Sequence, residues 1–228
     1  MTTPEIGLLL DDHGIAFWGV AANEPRMALS PDLPRAISLA ARHDPAAMAG
    51  VDVQPTPAYY ADYKRLNALL DEASAARAAA LRAAGHAAEV VPATVYEDQY
   101  DAVEDWGDAG VFAHKTAATR AGLGWIGKTA LFVSPRFGPW ARLATVFTDA
   151  DLAPGVPILE GRCGACRACV DVCPAGAGRD VTWRAGMPRD DLFEEKACEA
   201  HTELYDDLGG VCGSCLAVCP YGIAGAGS

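Results

Sequence analysis

The chain has 228 residues, 51% of them hydrophobic, which is enough for one sizeable core and a small appended module. Eighteen Lys and Arg against thirty Asp and Glu leave a formal charge of -12, which works against binding nucleic-acid phosphate or anionic lipid. No basic stretch precedes the apolar run Ile6 to Leu10, and nothing approaches twenty apolar residues. The expectation is a cytoplasmic protein with reduced thiols, no export signal and no membrane span.

In chain order, residues 5–22 predict a short helix or strand that ends in the apolar Ile15 to Val20. Asn23 to Pro34 is a proline-punctuated loop, and Arg35 to Ala41 reads as a core strand. Ala46 to Pro57 is expected to be loop, with Pro55 and Pro57 marking the entry to the longest helix, Ala58 to Ala84. Tyr59, Tyr63, Leu66, Leu69 and Leu70 recur at helical spacing there, and Gly85 is its stop.

Glu89 to Ala93 predicts a strand, Tyr96 to Gly110 an acidic irregular connection, and Ala113 to Ala121 a second helix interrupted by Gly122. Ala130 to Ser134 and Leu143 to Thr148 read as two strands joined by a turn at Pro135 to Pro139. Helices alternating with short apolar strands predict an α/β or α+β body over residues 1–155. Asp151 to Glu160, with Pro154, Gly155 and Pro157, leads into a module over 156–228.

That module carries all eight cysteines. Cys163, Cys166, Cys169 and Cys173 before Pro174 form a C-x2-C-x2-C-x3-C-P run, and Cys198, Cys212, Cys215 and Cys219 before Pro220 end in the same C-x2-C-x3-C-P. This is the spacing of a ferredoxin-like module with two 4Fe-4S clusters, in which three close thiolates hold one cube and the fourth crosses to the other. It assigns Cys163, Cys166, Cys169 and Cys219 to one cube and Cys173, Cys198, Cys212 and Cys215 to the other. A disulfide framework belongs to short secreted chains, and zinc sites show two C-x2-C pairs without this third interval.

A second signal is GLGWIG, Gly122 to Gly127. It matches the dinucleotide pattern G-x-G-x-x-G, but a helix-like segment precedes it and a strand follows, the reverse of the nucleotide-binding context. Two readings stand for this loop: a tight turn with Trp125 as a core plug, or a backbone approached closely by something flat and large. His114 and Lys115 offer positive charge to an anion, although a lone histidine on a helix flank is more often a hydrogen-bonded structural group. Tyr59, Tyr60, Tyr96, Tyr100 and Trp106 fit the core better than a cofactor pocket.

RAGLGWIGK from Arg120 to Lys128, Asp108 upstream of it, FTDADL from Phe147 to Leu152 and the cysteine pattern together resemble epoxyqueuosine reductase and its relatives. The resemblance runs from about Ala58 to Gly222. It implies a cobalamin- and 4Fe-4S-dependent reductase related to reductive dehalogenases, with a corrinoid lying between the body and the cluster module. It makes Gly122, Leu123, Gly124, Trp125, Ile126, Gly127 and Lys128 the candidate cobalamin loop, and Asp108, in Gly107-Asp108-Ala109, the candidate proton donor. The chain departs from the family around Asp108, at Thr129 where the family usually has Asn, and after the second cysteine group, where a helical-repeat extension that holds tRNA is lacking.

With the charge of -12, these departures point to a small molecule or a modified nucleoside as substrate, with tRNA unlikely and a ferredoxin or flavodoxin as electron donor. The alternative is a two-cluster electron-transfer protein without cobalamin that docks on a partner reductase.

Overall fold

A computed structural model describes residues 14–23, 32–94 and 112–225. They fall into two compact units. One comprises the chain up to Ala41, Leu66–Leu123 and Arg142–Pro157; the other comprises Arg42–Arg65, Gly124–Ala141 and Ile158 onward.

The first unit is built on a four-stranded sheet in the order β1 (Phe17–Ala22), β2 (Arg35–Arg42), β6 (Ala141–Thr148), β3 (Ala88–Val91). The β1–β2 and β3–β6 pairs are antiparallel. Side chains alternate along each strand, so neighbours in sequence enter different cores. Val20, Ile37, Leu39 and Val146 pack with Leu66, Leu70 and Leu81 of α2 (Pro57–Ala83), whereas Ala21, Ala36, Val91 and Phe147 pack with Ala117 and Ala121 at α3 (His114–Arg120). Both faces of the sheet are therefore buried, which is why its strands read as nearly continuous apolar runs. The body is a mixed α/β unit.

α2 ends where the sequence places its stop. Gly85 has φ 87°, and His86 N–H donates to the Leu81 carbonyl at 3.0 Å, a helix terminus that a left-handed glycine allows. Gly122, with φ 77°, stops the turn after α3 in the same way. Ala46 to Pro57 is not all loop: α1 (Pro45–Ala49) forms because Asp44 Oδ1 accepts the Ala46 N–H at 2.8 Å and Pro45 occupies the first helical position. This Asp-Pro start lies one residue before the stretch expected to be irregular.

The second unit has little regular structure. A hairpin of β4 (Trp125–Ile126) and β5 (Phe132–Val133) pairs Trp125 with Val133 and Ile126 with Phe132. Its Ile126 and Ala130 pack with Ala177, Leu192 and Phe193. A second cluster joins Met48, Val51, Tyr59 and Trp140 to Val211, Leu216 and Ala217. These contacts are why residues 42–65 and 124–141 belong with the cysteine segment. A single cut between 155 and 156 falls near the observed junction at Pro157 but misses both insertions.

The polar anchor of this unit is Asp62, whose side chain is 6% exposed. Its Oδ2 lies 2.7 Å from His43 Nδ1 and accepts from the Asp44 N–H at 3.1 Å; its Oδ1 accepts from Arg65 Nε at 3.0 Å and Nη2 at 2.6 Å. Burial alone raises a carboxyl's pKa, but the hydrogen bonds from His43, Arg65 and Asp44 outweigh it and hold Asp62 below its ordinary 3.8. A depressed folded value contributes stability above the unfolded pKa and loses it as pH falls. Asp62→Asn should therefore lower stability by about 2 kcal/mol at pH 7, read as a lower denaturation midpoint of anaerobically prepared protein. The gap between wild type and variant should close as pH drops through and below 3.8; a gap that widens in acid contradicts this account.

Candidate metal centre

The repeated cysteine run recurs as repeated local structure. Cys169 is the second residue of α4 (Ala168–Asp171), and Cys215 is the second residue of α6 (Ser214–Ala217). α4 and α6 pack against each other. Between them in sequence lie α5 (Glu195–Thr202), which carries Cys198, and two single-turn 3-10 segments; α7 (Pro220–Gly225) follows Cys219. All eight cysteines are free thiols and half-buried.

Their mutual electrostatics show which stand together. The Cys169 thiol is pushed up to about 11 by burial, then by Cys163, Cys219 and Cys166. Cys219 is raised by burial and by Cys163 and Cys166. Burial raises Cys198, with Cys173 and Cys212 adding to it, and drives Cys215 to about 12, with Cys169, Cys212 and Cys173 as its charged neighbours. Cys169 and Cys219 thus share Cys163 and Cys166 as neighbours, Cys198 and Cys215 share Cys173 and Cys212, and Cys215 also faces Cys169.

Cys163, Cys166, Cys169 and Cys219 line one cavity together with Cys215, and Gly127, Lys128, Val133, Pro139 and Tyr221 add to its wall. Among the described residues, no three His, Cys, Asp or Glu side chains are drawn up around one ion-sized point. The sulfurs stand instead as cavity wall, and N–H and O–H groups are aimed at them. Trp125 Nε1 donates to Cys163 Sγ at 3.4 Å, the Ala177 N–H to Cys173 Sγ at 3.4 Å, and Ser214 Oγ lies 3.0 Å from Cys212 Sγ. Tyr221 and Gly222 beside Cys219, and Thr129 beside Cys215, oppose the upward shift of those two thiols. Thiolate ligands, an apolar wall and donors to sulfur are the environment an iron–sulfur cluster requires, so the donor set fits one.

The glycine loop is filled by the chain itself. A Cβ on Gly122 would stand 2.5 Å from the Val156 carbonyl oxygen, one on Gly124 2.2 Å from that of Val133, and one on Gly127 2.9 Å from Val133 Cγ2. Trp125 is 1% exposed and meets Tyr221 edge-on at 5.1 Å. Ile126 is core, Leu123 packs beside Ala117 and Ala121, and Lys128 is buried with its Nζ 2.7 Å from Asp180 Oδ1. Asp180, left-handed at φ 55°, also binds Arg167, and its carboxyl lies below the ordinary range chiefly because of Lys128. Glycine is required here by close packing within the chain.

Of the other residues singled out, Asp108, Tyr96, Tyr100 and Trp106 lie outside the described residues. His114 is buried and satisfied, with Nε2 2.8 Å from the Pro92 carbonyl and Nδ1 2.9 Å from Thr145 Oγ1. Burial lowers its pKa to about 4, so it is a neutral ring and not an anion ligand. Sequence reasoning missed β4 and the donor role of Trp125. Two apolar pairs, Trp125-Ile126 and Phe132-Val133, flanking a five-residue turn were the available hairpin signal.

Among known proteins, an epoxyqueuosine reductase of Listeria monocytogenes is 32% identical over 122 residues, covering 50% of this chain and 31% of that protein. The chain resembles the epoxyqueuosine reductases. A solved epoxyqueuosine reductase bound to an epoxyqueuosine-modified tRNA-Tyr stem loop superposes with TM-score 0.64 at 18% identity, over 96% of this chain and 65% of that one. A reductive dehalogenase, solved in a study of B12-dependent dehalogenation, superposes with TM-score 0.73 at 20% identity, over 94% of this chain and 31% of that one. At these identities the structural likeness to epoxyqueuosine reductase and dehalogenase is one of fold. No family model matches. The matched stretch is about a third of the curated epoxyqueuosine reductase's length. No helix among the described residues is long and apolar enough to cross a membrane.

The closest approach in the loop gives a direct test. Gly124→Ala drives a methyl into the Val133 carbonyl at 2.2 Å, and overpacking of this kind costs about 1–3 kcal/mol. The variant should show a lower denaturation midpoint and reduced iron retention beside Gly50→Ala, at φ -89° with its added Cβ no nearer than 3.6 Å to Thr56 Cγ2. Equal iron retention in the two variants would contradict the packing role.

Proposed function

We propose that the chain is an iron–sulfur oxidoreductase of the epoxyqueuosine reductase type, with two 4Fe-4S clusters and cobalamin, acting on a small molecule or a modified nucleoside. The observation that carries this reading is the gathering of eight free thiols in one compact unit, in a chain similar to named reductases. Cys163, Cys166, Cys169 and Cys219 would hold one cluster and Cys173, Cys198, Cys212 and Cys215 the other, the C-x3-C-P ligand of each run crossing to its neighbour. In this reading the cysteine unit is ferredoxin-like.

Cobalamin comes to this chain through its likeness to a dehalogenase studied for B12-dependent dehalogenation, not through the packed glycine loop. When bound, a corrinoid supplies the bond-breaking redox chemistry, as cofactors generally do, while the protein contributes binding, orientation and protons. The residues of this chain hold the electron-carrying thiolates, exclude water from them with Trp125, Val133 and Tyr221, and, at Asp108, deliver a proton. The charge of -12 supports a substrate smaller than tRNA, because tRNA binding draws on cationic side chains. An external carrier such as ferredoxin or flavodoxin would supply electrons.

Anaerobic reconstitution tests the whole reading. The expected product contains about eight irons per chain and takes up added cobalamin stoichiometrically by its visible spectrum. Full iron with no corrinoid uptake would identify an electron-transfer protein instead. Replacing the crossing ligands separates the clusters: Cys219→Ser and Cys173→Ser should each retain about four irons, with different EPR spectra. Identical spectra would contradict the crossed assignment. Asp108→Asn should keep iron and corrinoid while lowering turnover with a modified nucleoside by about 100-fold, the lower end of general acid catalysis. Unchanged turnover removes Asp108 from the mechanism.

A further inference from the structure

We propose that the Ser214 hydroxyl raises the reduction potential of the cluster that Cys212 ligates, and so biases a single electron shared by the two cubes toward that one. The proposal rests on the two-cluster reading above and deepens it by giving the two cysteine runs unequal roles.

The two runs correspond where they enter their helices. Cys166-Arg167-Ala168-Cys169 leads into α4 and Cys212-Gly213-Ser214-Cys215 into α6, each a helix of four residues with Cys169 or Cys215 in second place. The first helical residue is Ala168 in one run and Ser214 in the other. One hydroxyl distinguishes the two positions.

That hydroxyl stands on a ligand sulfur. Ser214 is 1% exposed, and its Oγ lies 3.0 Å from Cys212 Sγ. Gly213 between them is left-handed at φ 86°, whereas Arg167 in the first run has φ -124°. Glycine permits the turn that folds Ser214 back toward the preceding sulfur. Tyr59 and Val51 close this turn from outside, because a Cβ on Gly213 would stand 2.8 Å from Tyr59 Cε1 and 3.2 Å from Val51 Cγ1. A hydrogen bond kept from water in this way is electrostatically stronger than the same bond in solvent.

Between a free thiol and a hydroxyl either group can donate. As an iron ligand Cys212 is a thiolate, so the serine O–H is the donor. When the cluster takes one electron from a one-electron carrier, iron is reduced and part of the added negative charge rests on the ligand sulfurs. A fixed donor holds the more negative state more strongly, and hydrogen bonds to sulfur are among the controls of cluster potential. No proton is transferred and no covalent bond changes. Compared with Trp125 Nε1 at Cys163 and the Ala177 N–H at Cys173, both at 3.4 Å, the serine makes the shortest of the three contacts.

The experiment is an EPR-monitored redox titration of the anaerobically reconstituted full chain, with dithionite as reductant, comparing wild type with Ser214→Ala and Ser214→Thr. Alanine already occupies the corresponding position of the first run. The cluster to follow is the one whose spectrum persists in Cys219→Ser. In Ser214→Ala its reduced-to-oxidised ratio at fixed potential should fall roughly three- to tenfold, the factor one hydrogen bond carries, with iron content kept and the other cluster unmoved. Ser214→Thr, which keeps the hydroxyl, should restore the wild-type ratio. Unmoved potentials in Ser214→Ala overturn the proposal, and so does loss of about four irons, which would make the hydroxyl a support for the cluster and not a control of its potential. An equal shift in Ser214→Ala and Ser214→Thr shows packing alone and overturns it too. Wild-type protein with well under about eight irons defeats the two-cluster reading itself, an outcome distinct from any of these.

Discussion

Eight thiol sulfurs gathered in a half-buried setting oppose one another. Burial raises Cys169 and Cys215 to about 11 and about 12, and the neighbouring thiols add to it. Such an arrangement holds neutral thiols until positive charge replaces their protons, and metal binding then becomes part of the folding free energy. The second unit is consistent with this dependence. Its helices are mostly single turns, its one hairpin has two residues per strand, and its apolar clusters are small. The first unit, with a sheet buried on both faces, needs no such help.

This difference explains why the cysteine unit recruits chain from elsewhere. Residues 42–65 bring Tyr59 against Met48, Val51 and Trp140, and bring Asp62 to satisfy His43 and Arg65. Residues 124–141 bring the hairpin whose Trp125 indole N–H ends on Cys163 Sγ. The glycine pattern of the hairpin serves that purpose: Gly124 and Gly127 let strand and turn close tightly enough for the donor to reach.

Local signals in the sequence carried the larger elements. Three strands of the sheet, the long helix with its Gly85 stop and the helix before Gly122 were legible because apolar periodicity and left-handed glycine are short-range properties. The cysteine pattern was legible because its repeated run recurs as repeated local structure, Cys169 and Cys215 each second in a short helix. What failed to show was the assembly of one unit from three separate segments, which depends on long-range packing. Trp125 illustrates the limit. Its burial was one of two readings of GLGWIG, but its hydrogen bond to a sulfur 38 residues away has no local signature. The short α1 was missed for a smaller reason, because its Asp44-Pro45 start stands just before the stretch from Ala46 that was read as loop.

The likeness to epoxyqueuosine reductases and dehalogenases extends over nearly all of this chain in fold, while the chain spans a third to two thirds of those structures. What they share with it includes the region where the thiols gather. The central claim is that two clusters, exchanging one ligand each, lie side by side in the cysteine unit. Its most direct test is the EPR spectrum of the fully reduced wild-type protein. Two clusters this close must show spin–spin interaction, seen as a broadened, split signal integrating to about two spins per chain. A sharp, unsplit signal of about one spin per chain would contradict the account.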